Sequence, residues 1–376
     1  MNHVARTGPV EDFYAIVPAG GVGSRLWPLS RAASPKFLHD LTGTGRSLLQ
    51  STWDRLEPLA GAGGIALVTG KSHVEAAASQ LPRIDERMLM AEPLQRESMA
   101  AIGLAAAVLH ERHGDVIVGS FAADQIVSGR VAFERAVHEA IAAARQDYVV
   151  TIGIAASRPS TAFGYVRCGE ELGVDGAPSA LHALGFTEKP DAATAREYLD
   201  TGEYRWNAGI FVVRTSILLD HLATLHPELH SGLRRIARSW DTPHRESIMA
   251  EVWPTLESIA IDNAVAEPIA AEGGVAVVPG TFGWDDVGDF NSLAGVLTGI
   301  ADSGDKIVGP EENVVRLETA GNVIVPGTDR VIALLGVDDL VIVDTEDTLM
   351  ITTRSRAQQV KSLVEHLRQT DRDEFL

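Results

Sequence analysis

A glycine-rich stretch after the first apolar run constrains the fold and chemistry of this chain more than any other feature. Residues 14–17 read Tyr-Ala-Ile-Val, which is typical of a buried strand, and residues 19–25 then read Ala-Gly-Gly-Val-Gly-Ser-Arg. Three glycines after such a strand allow the backbone to turn sharply and to expose its N–H groups to an anion. Arg25 and Lys36 add positive charge after this turn. The stretch therefore predicts a strand end that holds several phosphates.

The spacing of this stretch differs from that of two common phosphate-binding loops. A Walker loop has a Lys-Ser or Lys-Thr pair directly after its last glycine, whereas Gly23 is followed by Ser24 and Arg25. The dinucleotide-binding fingerprint has a glycine three residues after Gly23, where this chain has Leu26. The remaining pattern is GGxGxRL followed by a Pro-Lys pair. A simple glycine turn between a strand and a helix needs neither the arginine nor the Pro-Lys pair, so we favour phosphate binding.

The composition limits the classes of partner that the chain can bind. Its 376 residues carry a formal net charge of -19, which argues against nucleic acid because a phosphate backbone needs a basic surface. The single cysteine, Cys168, excludes a disulfide framework and a cysteine-rich metal site. Because the sequence has no run of about eighteen apolar residues, we expect no membrane span. Residues 1–12 are expected to be a flexible N-terminus rather than a signal peptide, and the protein is expected to be cytoplasmic.

Short apolar runs alternate with alanine-rich segments in the first part of the chain. We expect strands at residues 14–17, 64–68, 116–120 and 149–154, and helices at residues 47–56, 73–80, 98–112 and 132–145. This alternation predicts an α/β fold that is Rossmann-like, with a mixed, mostly parallel sheet and helices on both faces. Ligands bind such sheets beyond the carboxyl ends of the strands, which is where the glycine loop is expected.

An aspartate follows a second strand of this predicted sheet at the same edge. Asp124 comes shortly after residues 116–120, so it lies beyond the carboxyl end of a buried strand, as the glycine loop does. Carboxylates in such positions commonly hold Mg²⁺ against phosphate oxygens. The alternative is an aspartate that caps the next helix or turn. The neighbouring phosphate loop favours the metal.

Further motifs follow along the middle of the chain. They read Phe-Gly-Tyr at residues 163–165, Glu-Lys-Pro-Asp at 188–191, Trp-Asn-Ala-Gly at 206–209, Ile-Asp-Asn-Ala-Val-Ala-Glu at 261–267 and Trp-Asp-Asp-Val-Gly at 284–288. With the opening glycine loop, this order of motifs resembles the mannose-1-phosphate guanylyltransferase family, whose members are also called GDP-mannose pyrophosphorylases. The resemblance covers residues 13–295.

The resemblance implies an enzyme that transfers GMP from GTP to mannose-1-phosphate, with Mg²⁺ as its cofactor. The catalytic residues that it implies are Arg25, Lys36, Lys189, Asp124 and Asp286, of which Asp124 and Asp286 would bind the metal. The nucleotide-binding residues that it implies are Ala19, Gly20, Gly21, Gly23, Ser24, Glu92, Arg96 and Ser98. The sugar-binding residues that it implies are Gly164, Glu188, Asn207 and Glu267. For the adjacent acids Asp285 and Asp286, a solvated turn is the alternative to a metal site.

One segment departs from the pattern of this family. The family usually has Gly-Arg-Asn-Thr-Ala-Pro where residues 95–100 read Gln-Arg-Glu-Ser-Met-Ala. Arg96 is retained, Glu97 replaces the asparagine, and Ser98 replaces the threonine and could cap the helix that follows. The change leaves open a sister enzyme that uses another sugar-1-phosphate or another base. A non-catalytic sugar-nucleotide sensor is the remaining alternative, although the retained lysines and aspartates argue against it.

The last part of the chain has a different pattern of short strands separated by Gly, Asp and Pro turns. These strands are expected at residues 313–317, 322–325, 330–335, 340–344 and 348–351. The resemblance implies that they form a left-handed β-helix-like domain. We therefore predict a catalytic domain at residues 13–300 and a small β-rich domain at residues 301–376. An amphipathic helix at residues 356–369 either packs on this tail or contacts a second subunit, which would give a homodimer.

Overall fold

A large mixed sheet forms the centre of the computed structural model, which describes residues 8–297, 299 and 302–376. The strands are, in chain order, β1 (Phe13–Ala19), β2 (Ile65–Gly70), β3 (Leu89–Glu92), β4 (Ile117–Ser120), β5 (Ile126–Ser128), β6 (Val149–Ala155), β7 (Tyr165–Glu171), β8 (Leu181–Thr187), β9 (Tyr204–Arg214), β10 (Val275–Gly280), β11 (Gly283–Asp285), β12 (Lys306–Ile307), β13 (Val314–Leu317), β14 (Val323–Pro326), β15 (Ile332–Leu335), β16 (Leu340–Asp344) and β17 (Leu349–Thr353). The strands expected from the sequence are confirmed, with bounds shifted by a few residues.

The helices include those that the sequence predicts, the first four and the last, and others for which the sequence made no prediction. They are α1 (Leu48–Ala60), α2 (Val74–Gln80), α3 (Ser98–His113), α4 (Arg130–Ala144), α5 (Ala192–Thr201), α6 (Thr215–Leu225), α7 (Pro227–Ser239), α8 (Arg245–Val252), α9 (Glu267–Ala270), α10 (Phe290–Val296) and α11 (Val360–Gln369). Arg25 and Lys36, two cationic residues of the predicted site, lie in two short 3₁₀ turns, Ser24–Leu26 and Lys36–Leu38. None of the helices in the described ranges is both long and apolar enough to cross a membrane.

The central sheet has the order β3-β2-β1-β4-β9-β6-β10-β8-β7. Its first four strands are parallel to one another, and β9 then pairs antiparallel with both β4 and β6. The predicted mixed α/β sheet is confirmed, and its all-parallel part comes from the first half of the chain. The carboxyl ends of β1 and β4 meet because Ile16 pairs with Ser120 in the register of these strands.

Helices cover both faces of this sheet, as predicted. Along β1, Ile16 packs into a core with α3, α6, α7 and α8, whereas Ala15 and Val17 pack into a second core with α1 and α4. Side chains alternate between the faces of a strand, so a strand with apolar residues in both positions must be covered on both sides. These two cores fix the sheet and, with it, the position of the strand ends.

The C-terminal β domain is built from short parallel pairings, with β12, β14 and β16 in one sheet and β13 and β15 in another. It is not separate from the catalytic part, because Val323 and Val360 share a hydrophobic core with Leu26, Trp27 and Phe290. The final helix begins at Val360, after a 3₁₀ turn, rather than at residue 356. It packs on this shared core, while the predicted homodimer stays a prediction.

The expected flexible N-terminus is only partly described. Residues 1–7 lie outside the described residues. Val10 is buried, and its backbone N–H donates to the Leu59 carbonyl over 2.7 Å. Asp12 forms an ion pair with Arg145 at 2.7 Å. Residues 10 and 12 are therefore attached to α1 and to the end of α4.

Candidate active site

The glycine loop and Asp124 lie side by side at the carboxyl edge of the parallel strands. Beyond β4, the Phe121 N–H donates to the Ile16 carbonyl at 2.9 Å, and the Ala123 N–H donates to the Pro18 carbonyl at 3.0 Å. This pairing carries the chain along the end of β1 and places Asp124 next to the loop. A Cβ on Gly21 would lie 3.9 Å from Asp124 Oδ2. The expectation that both features share one edge is confirmed.

Lys36 joins the glycine loop to two distant aspartates. Its Nζ lies 2.8 Å from Asp124 Oδ2 and donates to the Asp286 carbonyl oxygen over 2.6 Å. The Lys36 side chain is buried, and its backbone N–H donates to the Val22 carbonyl. Gly23 has a φ of 77°, and a Cβ there would lie only 2.7 Å from Lys36 Cβ. Glycine is therefore required at position 23 for the loop to pack against the lysine.

Asp286 lies in an environment that disfavours its negative charge. Burial raises the pKa of its carboxyl, and the negative charges of Asp285 and Asp124 raise it further, against the opposing effect of Lys36. Asp285 instead accepts a hydrogen bond from the Val287 N–H at 2.7 Å, which fixes the local turn. Burial raises the pKa of Asp285 as well, so the two acids differ in the hydrogen bond that Asp285 accepts rather than in the direction of their pKa shifts.

Arg25 lies close to the Asp286 carboxylate. A Cβ placed on Gly288 would be 3.5 Å from Asp286 Oδ2 and 3.9 Å from Arg25 Nη1, so both groups border the same small space. Arg25 is exposed and has no hydrogen-bonding or ion-pair partner for its side chain within the described part of the chain. We call Arg25, Lys36, Asp124 and Asp286 the phosphate-side cluster. It combines two cations with two carboxylates at one strand edge.

The two carboxylates of this cluster suit Mg²⁺, provided that substrate phosphates and water complete its coordination. In the described ranges, no group of three or more His, Cys, Asp or Glu residues is arranged to hold a metal ion. Asp124 and Asp286 provide two carboxylates, and Mg²⁺ commonly binds through one or two carboxylates while substrate phosphates and water fill its other positions. The raised pKa of Asp286 indicates that a cation there would be stabilised. Metal binding by this pair stays a prediction.

Gly164, Glu188 and Asn207 meet at the neighbouring end of the antiparallel strands. The Asn207 N–H donates to the Gly164 carbonyl at 2.8 Å. A Cβ on Gly164 would lie 2.5 Å from Glu188 Oε2 and 3.4 Å from Asn207 Cβ. Only a glycine at position 164 leaves the Glu188 carboxylate where it is, so the structure brings these three predicted sugar-binding residues together.

The Asn207 side chain is held by protein partners. Its Oδ1 accepts from Thr151 Oγ1 at 2.6 Å and from the Gly209 N–H at 3.0 Å, and its Nδ2 donates to Asp262 Oδ1 at 2.7 Å. One N–H of the amide remains available for a ligand. Burial, followed by the negative charge of Glu188, raises the pKa of Asp262 to about 7. We call Gly164, Glu188, Asn207, Asp262 and Glu267 the sugar-side cluster.

Glu267 and Lys189 both contact Glu188. Glu267 Oε1 accepts from the Glu188 N–H at 3.2 Å, and its Oε2 accepts from Asn263 Nδ2 at 2.8 Å. Lys189 Nζ lies 2.6 Å from Glu188 Oε1. Burial lowers the pKa of Lys189, but the hydrogen bond and the charge of Glu188 outweigh it and raise the pKa overall, so the lysine is protonated. Lys189 thus contacts the sugar-side cluster and does not contact Lys36.

Contacts between residues that flank the two clusters hold the clusters next to each other. Gln125 follows Asp124, and its Nε2 donates to the Ala208 carbonyl at 2.8 Å, next to Asn207. Phe163, which precedes Gly164, has its ring 5.1 Å from that of Trp284, in the strand that leads to Asp286. Both clusters therefore open at one edge of the sheet.

Comparisons with known proteins show the family to which the chain belongs. The nucleotidyl transferase family matches residues 14–303, and the MannoseP isomerase/GMP-like beta-helix domain matches residues 312–367. The mannose-1-phosphate guanylyltransferase RfbM of Salmonella typhimurium is 33% identical over 374 residues, which are 97% of this chain and 74% of that protein. The chain belongs to the mannose-1-phosphate guanylyltransferase family. The predicted resemblance is therefore confirmed.

Two further relatives of this guanylyltransferase-family chain cover nearly all of it. The xanthan biosynthesis protein XanB of Xanthomonas campestris is 34% identical over 375 residues, covering 97% of this chain and 75% of that protein. A solved structure described as a mannose-1-phosphate geranyltransferase from Thermus thermophilus is 31% identical, with a TM-score of 0.83 and coverage of 95% of this chain and 100% of that one. The α/β sheet and the C-terminal β-helix-like domain are thus family features.

The segment at residues 95–100, which departs from the guanylyltransferase-family pattern, makes hydrogen bonds with distant parts of the chain. Glu92 is buried at the end of β3, where burial raises its pKa to about 7. Arg96 Nη2 donates to the Pro254 carbonyl at 2.5 Å. The predicted cap at Ser98 is wrong: α3 begins at Ser98 itself, and the Ser98 hydroxyl accepts from the Ile261 N–H at 3.0 Å. The predicted contacts of Glu92, Arg96 and Ser98 with a nucleotide stay predictions.

Sequence reasoning missed two residues in this guanylyltransferase-family site. Gln95 Nε2 donates to the Gly20 carbonyl at 2.8 Å and so supports the glycine loop. Asp262 holds Asn207. Asp262 lies within the motif at residues 261–267, so that motif could have pointed to it, whereas Gln95 occupies a position where the family usually has glycine.

Proposed function

We propose that this protein transfers GMP from GTP to mannose-1-phosphate, producing GDP-mannose and pyrophosphate. The observation that carries the proposal is the position of Lys36, whose ammonium contacts Asp124 and Asp286 beside the glycine loop. A site of this kind suits a reaction between two polyanions, because it brings fixed positive charge to a strand edge that also exposes backbone amides.

The reaction needs positioned charge rather than a general base. An oxygen of the sugar phosphate, already anionic at neutral pH, attacks the α-phosphorus of GTP. The bond from that phosphorus to the bridging oxygen breaks, and its electron pair leaves with pyrophosphate. The barrier is electrostatic, so preorganised cations lower it. Arg25 and Lys36, with the amides of the glycine loop, would hold the triphosphate and stabilise the departing charge, which their position beside Asp286 and Asp124 supports.

Asp124 and Asp286 are the residues that would hold Mg²⁺. The bound ion would neutralise phosphate oxygens and thereby assist the approach of the two anions. Support comes from the oxygen-only donor pair and from the raised pKa of Asp286, which reflects burial and neighbouring carboxylates. Lys36 keeps the two residues together through its contacts with the Asp124 carboxylate and the Asp286 carbonyl.

The sugar-side cluster would select the sugar. Lys189, which contacts Glu188, would meet the phosphate of mannose-1-phosphate. The remaining amide hydrogen of Asn207 and the Glu188 carboxylate would bind hydroxyls. Glu267 accepts hydrogen bonds from the Glu188 N–H and from Asn263 Nδ2, and its remaining lone pairs would accept a hydrogen bond from a sugar hydroxyl. Such a network discriminates between sugars because a mismatched hydroxyl would leave buried polar groups unpaired.

Pyrophosphate release with a panel of substrates tests the proposal. GTP, ATP, UTP and dTTP are each combined with mannose-1-phosphate and glucose-1-phosphate. We expect the pair of GTP and mannose-1-phosphate to give the highest kcat/KM, by about a hundredfold over the others. A different best pair would identify a sister enzyme, and GDP-mannose binding without turnover of any pair would identify a sensor. Either outcome would overturn the proposed reaction.

A further inference from the structure

A cavity of about 260 Å³ separates the glycine loop from the last helix of the C-terminal domain. One wall is formed by Gly23 and Ser24 of the loop and by Trp27 just after it. The opposite wall is formed by α11, through Lys361 and Arg368. The cavity therefore borders the glycine loop, which is predicted to hold the triphosphate.

Three of the four charged side chains that line this cavity are cationic, although the chain as a whole has a net charge of -19. Arg31, Lys361 and Arg368 line it together with one acidic side chain, that of Glu365, and the last residue of the sequence, Leu376, also borders it. Asp347 pairs with Arg31, and Glu365 lies 3.7 Å from Lys361. Arg368 has no hydrogen bond or ion pair from its side chain to any residue that the structure describes. Two cations thus face the cavity with little or no compensation.

The C-terminal domain holds these cations in a fixed place relative to the loop. The Trp27 indole N–H donates to the Phe375 carbonyl at 2.7 Å. Val360 and Val364 of α11 are buried in the core that they share with Leu26, which directly follows Arg25. Lys361 and Arg368 are seven residues apart, which is about two turns, so they lie on the same face of the helix.

We propose that this cavity binds a diphosphate group through Lys361 and Arg368. The ligand is the pyrophosphate released by the reaction, or the same two phosphates while they are still part of the triphosphate. A diphosphate suits the cavity better than a single phosphate because two separated cations face it and the glycine loop forms its other wall. This inference rests on the proposed function, since pyrophosphate is the product of that reaction.

The test compares the wild-type protein with Lys361→Gln, Arg368→Gln and the double variant. Calorimetry measures the Kd of inorganic pyrophosphate in the absence of other substrates, and the reverse reaction measures the KM of pyrophosphate with GDP-mannose. We expect each substitution to raise both values about tenfold, with the KM of GDP-mannose unchanged. The KM of GTP in the forward reaction distinguishes the two sources: it rises only if the cavity also holds the phosphates of the bound triphosphate.

Arg356→Gln is the matched control, because it removes one positive charge from the same segment at an exposed residue outside the cavity. Lys361 and Arg368 are exposed as well, so the variants are expected to fold, and equal melting temperatures would verify this. Unchanged pyrophosphate binding in the double variant, or an equal loss in Arg356→Gln, would overturn the inference. If the wild-type protein makes no GDP-mannose, the proposed function fails, while calorimetry with pyrophosphate still tests the cavity.

Discussion

The phosphate-side and sugar-side clusters share one edge of the sheet, yet they satisfy their polar groups differently. On the phosphate side, Arg25 has no side-chain partner in the described ranges, and the pKa of Asp286 is raised by burial and by neighbouring carboxylates. On the sugar side, Asn207 and Glu267 make hydrogen bonds within the protein. The first cluster thus contains a cation without a partner, whereas the side chains of the second are held by hydrogen bonds within the protein, although burial raises the pKa of Asp262 as it raises that of Asp286.

This difference indicates which property of the ligand each cluster recognises. A cluster with unbalanced charges gains most from ligands that bring charge, such as phosphates and a divalent cation. A hydrogen-bonded network with little freedom instead selects by shape, because a misfit leaves buried groups unpaired. We therefore expect substitutions on the phosphate side to reduce the rate, and substitutions on the sugar side to reduce sugar affinity.

The largest expected effect is that of Asp286→Asn on catalysis. Removing this charge should lower kcat/KM by about a hundredfold or more, because a buried carboxylate that stabilises phosphate transfer through a cation is lost. Steady-state pyrophosphate release as a function of Mg²⁺ concentration measures the effect. The fold should be retained, because the substitution removes a buried charge that is unfavourable in the free protein.

Asp285→Asn is the matched control for this substitution. The Asp285 carboxylate accepts a hydrogen bond from the Val287 N–H, and an asparagine oxygen can accept the same bond. We expect a loss of only a fewfold in kcat/KM. Wild-type turnover by Asp286→Asn would show that the metal assignment is wrong, and equal losses in both variants would remove the distinction between the two acids.

An intermediate effect is expected from Gly164→Ala on the sugar side. The added methyl group would meet Glu188 Oε2 at 2.5 Å, so the carboxylate would have to turn away from its present position. The KM of mannose-1-phosphate should rise about tenfold, because the sugar would lose one hydrogen bond to the charged Glu188 carboxylate. The KM of GTP should stay the same. Initial rates with each substrate varied in turn measure both constants.

Gly185→Ala serves as the control for the added methyl group, because a Cβ on Gly185 in β8 has no atom within 4 Å. It should leave both KM values unchanged. If Gly164→Ala instead raised the KM of GTP and spared that of mannose-1-phosphate, the assignment of this cluster to the sugar would be contradicted.

The smallest expected effect is a change in the pH dependence of stability in Asp262→Asn. The pKa of Asp262 is raised from 3.8 to about 7 in the folded protein, mainly by burial. The folded state therefore binds the proton more tightly, so this group's stabilising contribution is complete below about pH 4 and is lost as the pH rises to about 7. In Asp262→Asn, which lacks this carboxyl, the free energy of unfolding should fall less steeply as the pH rises. Its slope should differ from the wild-type slope by less than about 1.4 kcal/mol per pH unit.

Urea unfolding at pH 5, 6 and 7 measures this slope in the wild-type protein and in Asp262→Asn. The asparagine keeps an oxygen that can accept the hydrogen bond from Asn207 Nδ2, so the network itself is preserved. Asp175→Asn, at an exposed position, is the control and should keep the wild-type slope. Parallel curves for the wild type and Asp262→Asn would mean that this carboxyl ionises normally in the folded protein.

The sequence predicted the strand ends well because local patterns determine them. The apolar run before Gly20 and the run before Phe121 indicate two buried strands, and parallel strands bring their carboxyl ends to one edge. The placement of Asp124 beside the glycine loop follows directly from this rule. The order of short motifs was equally informative, since it indicated the guanylyltransferase family before any contact was known.

Side-chain partners could not be predicted in the same way, because they depend on packing between distant segments. Lys36 and Asp286 are 250 residues apart in the chain, and only the tertiary structure places the lysine ammonium on the aspartate carbonyl. The same holds for Ser98, which a local rule made a helix cap but which accepts a hydrogen bond from Ile261.

The sequence by itself determined the strand edge, the residue types gathered there and the family of the chain, because strand ends and glycine turns follow from local backbone preferences. The tertiary structure alone decided that the C-terminal helix lies against the glycine loop and that Asp262 holds Asn207. Both contacts join segments that no local pattern relates, and for the C-terminal helix the physical reason is the hydrophobic core that Val360 and Val364 share with Leu26 and Trp27.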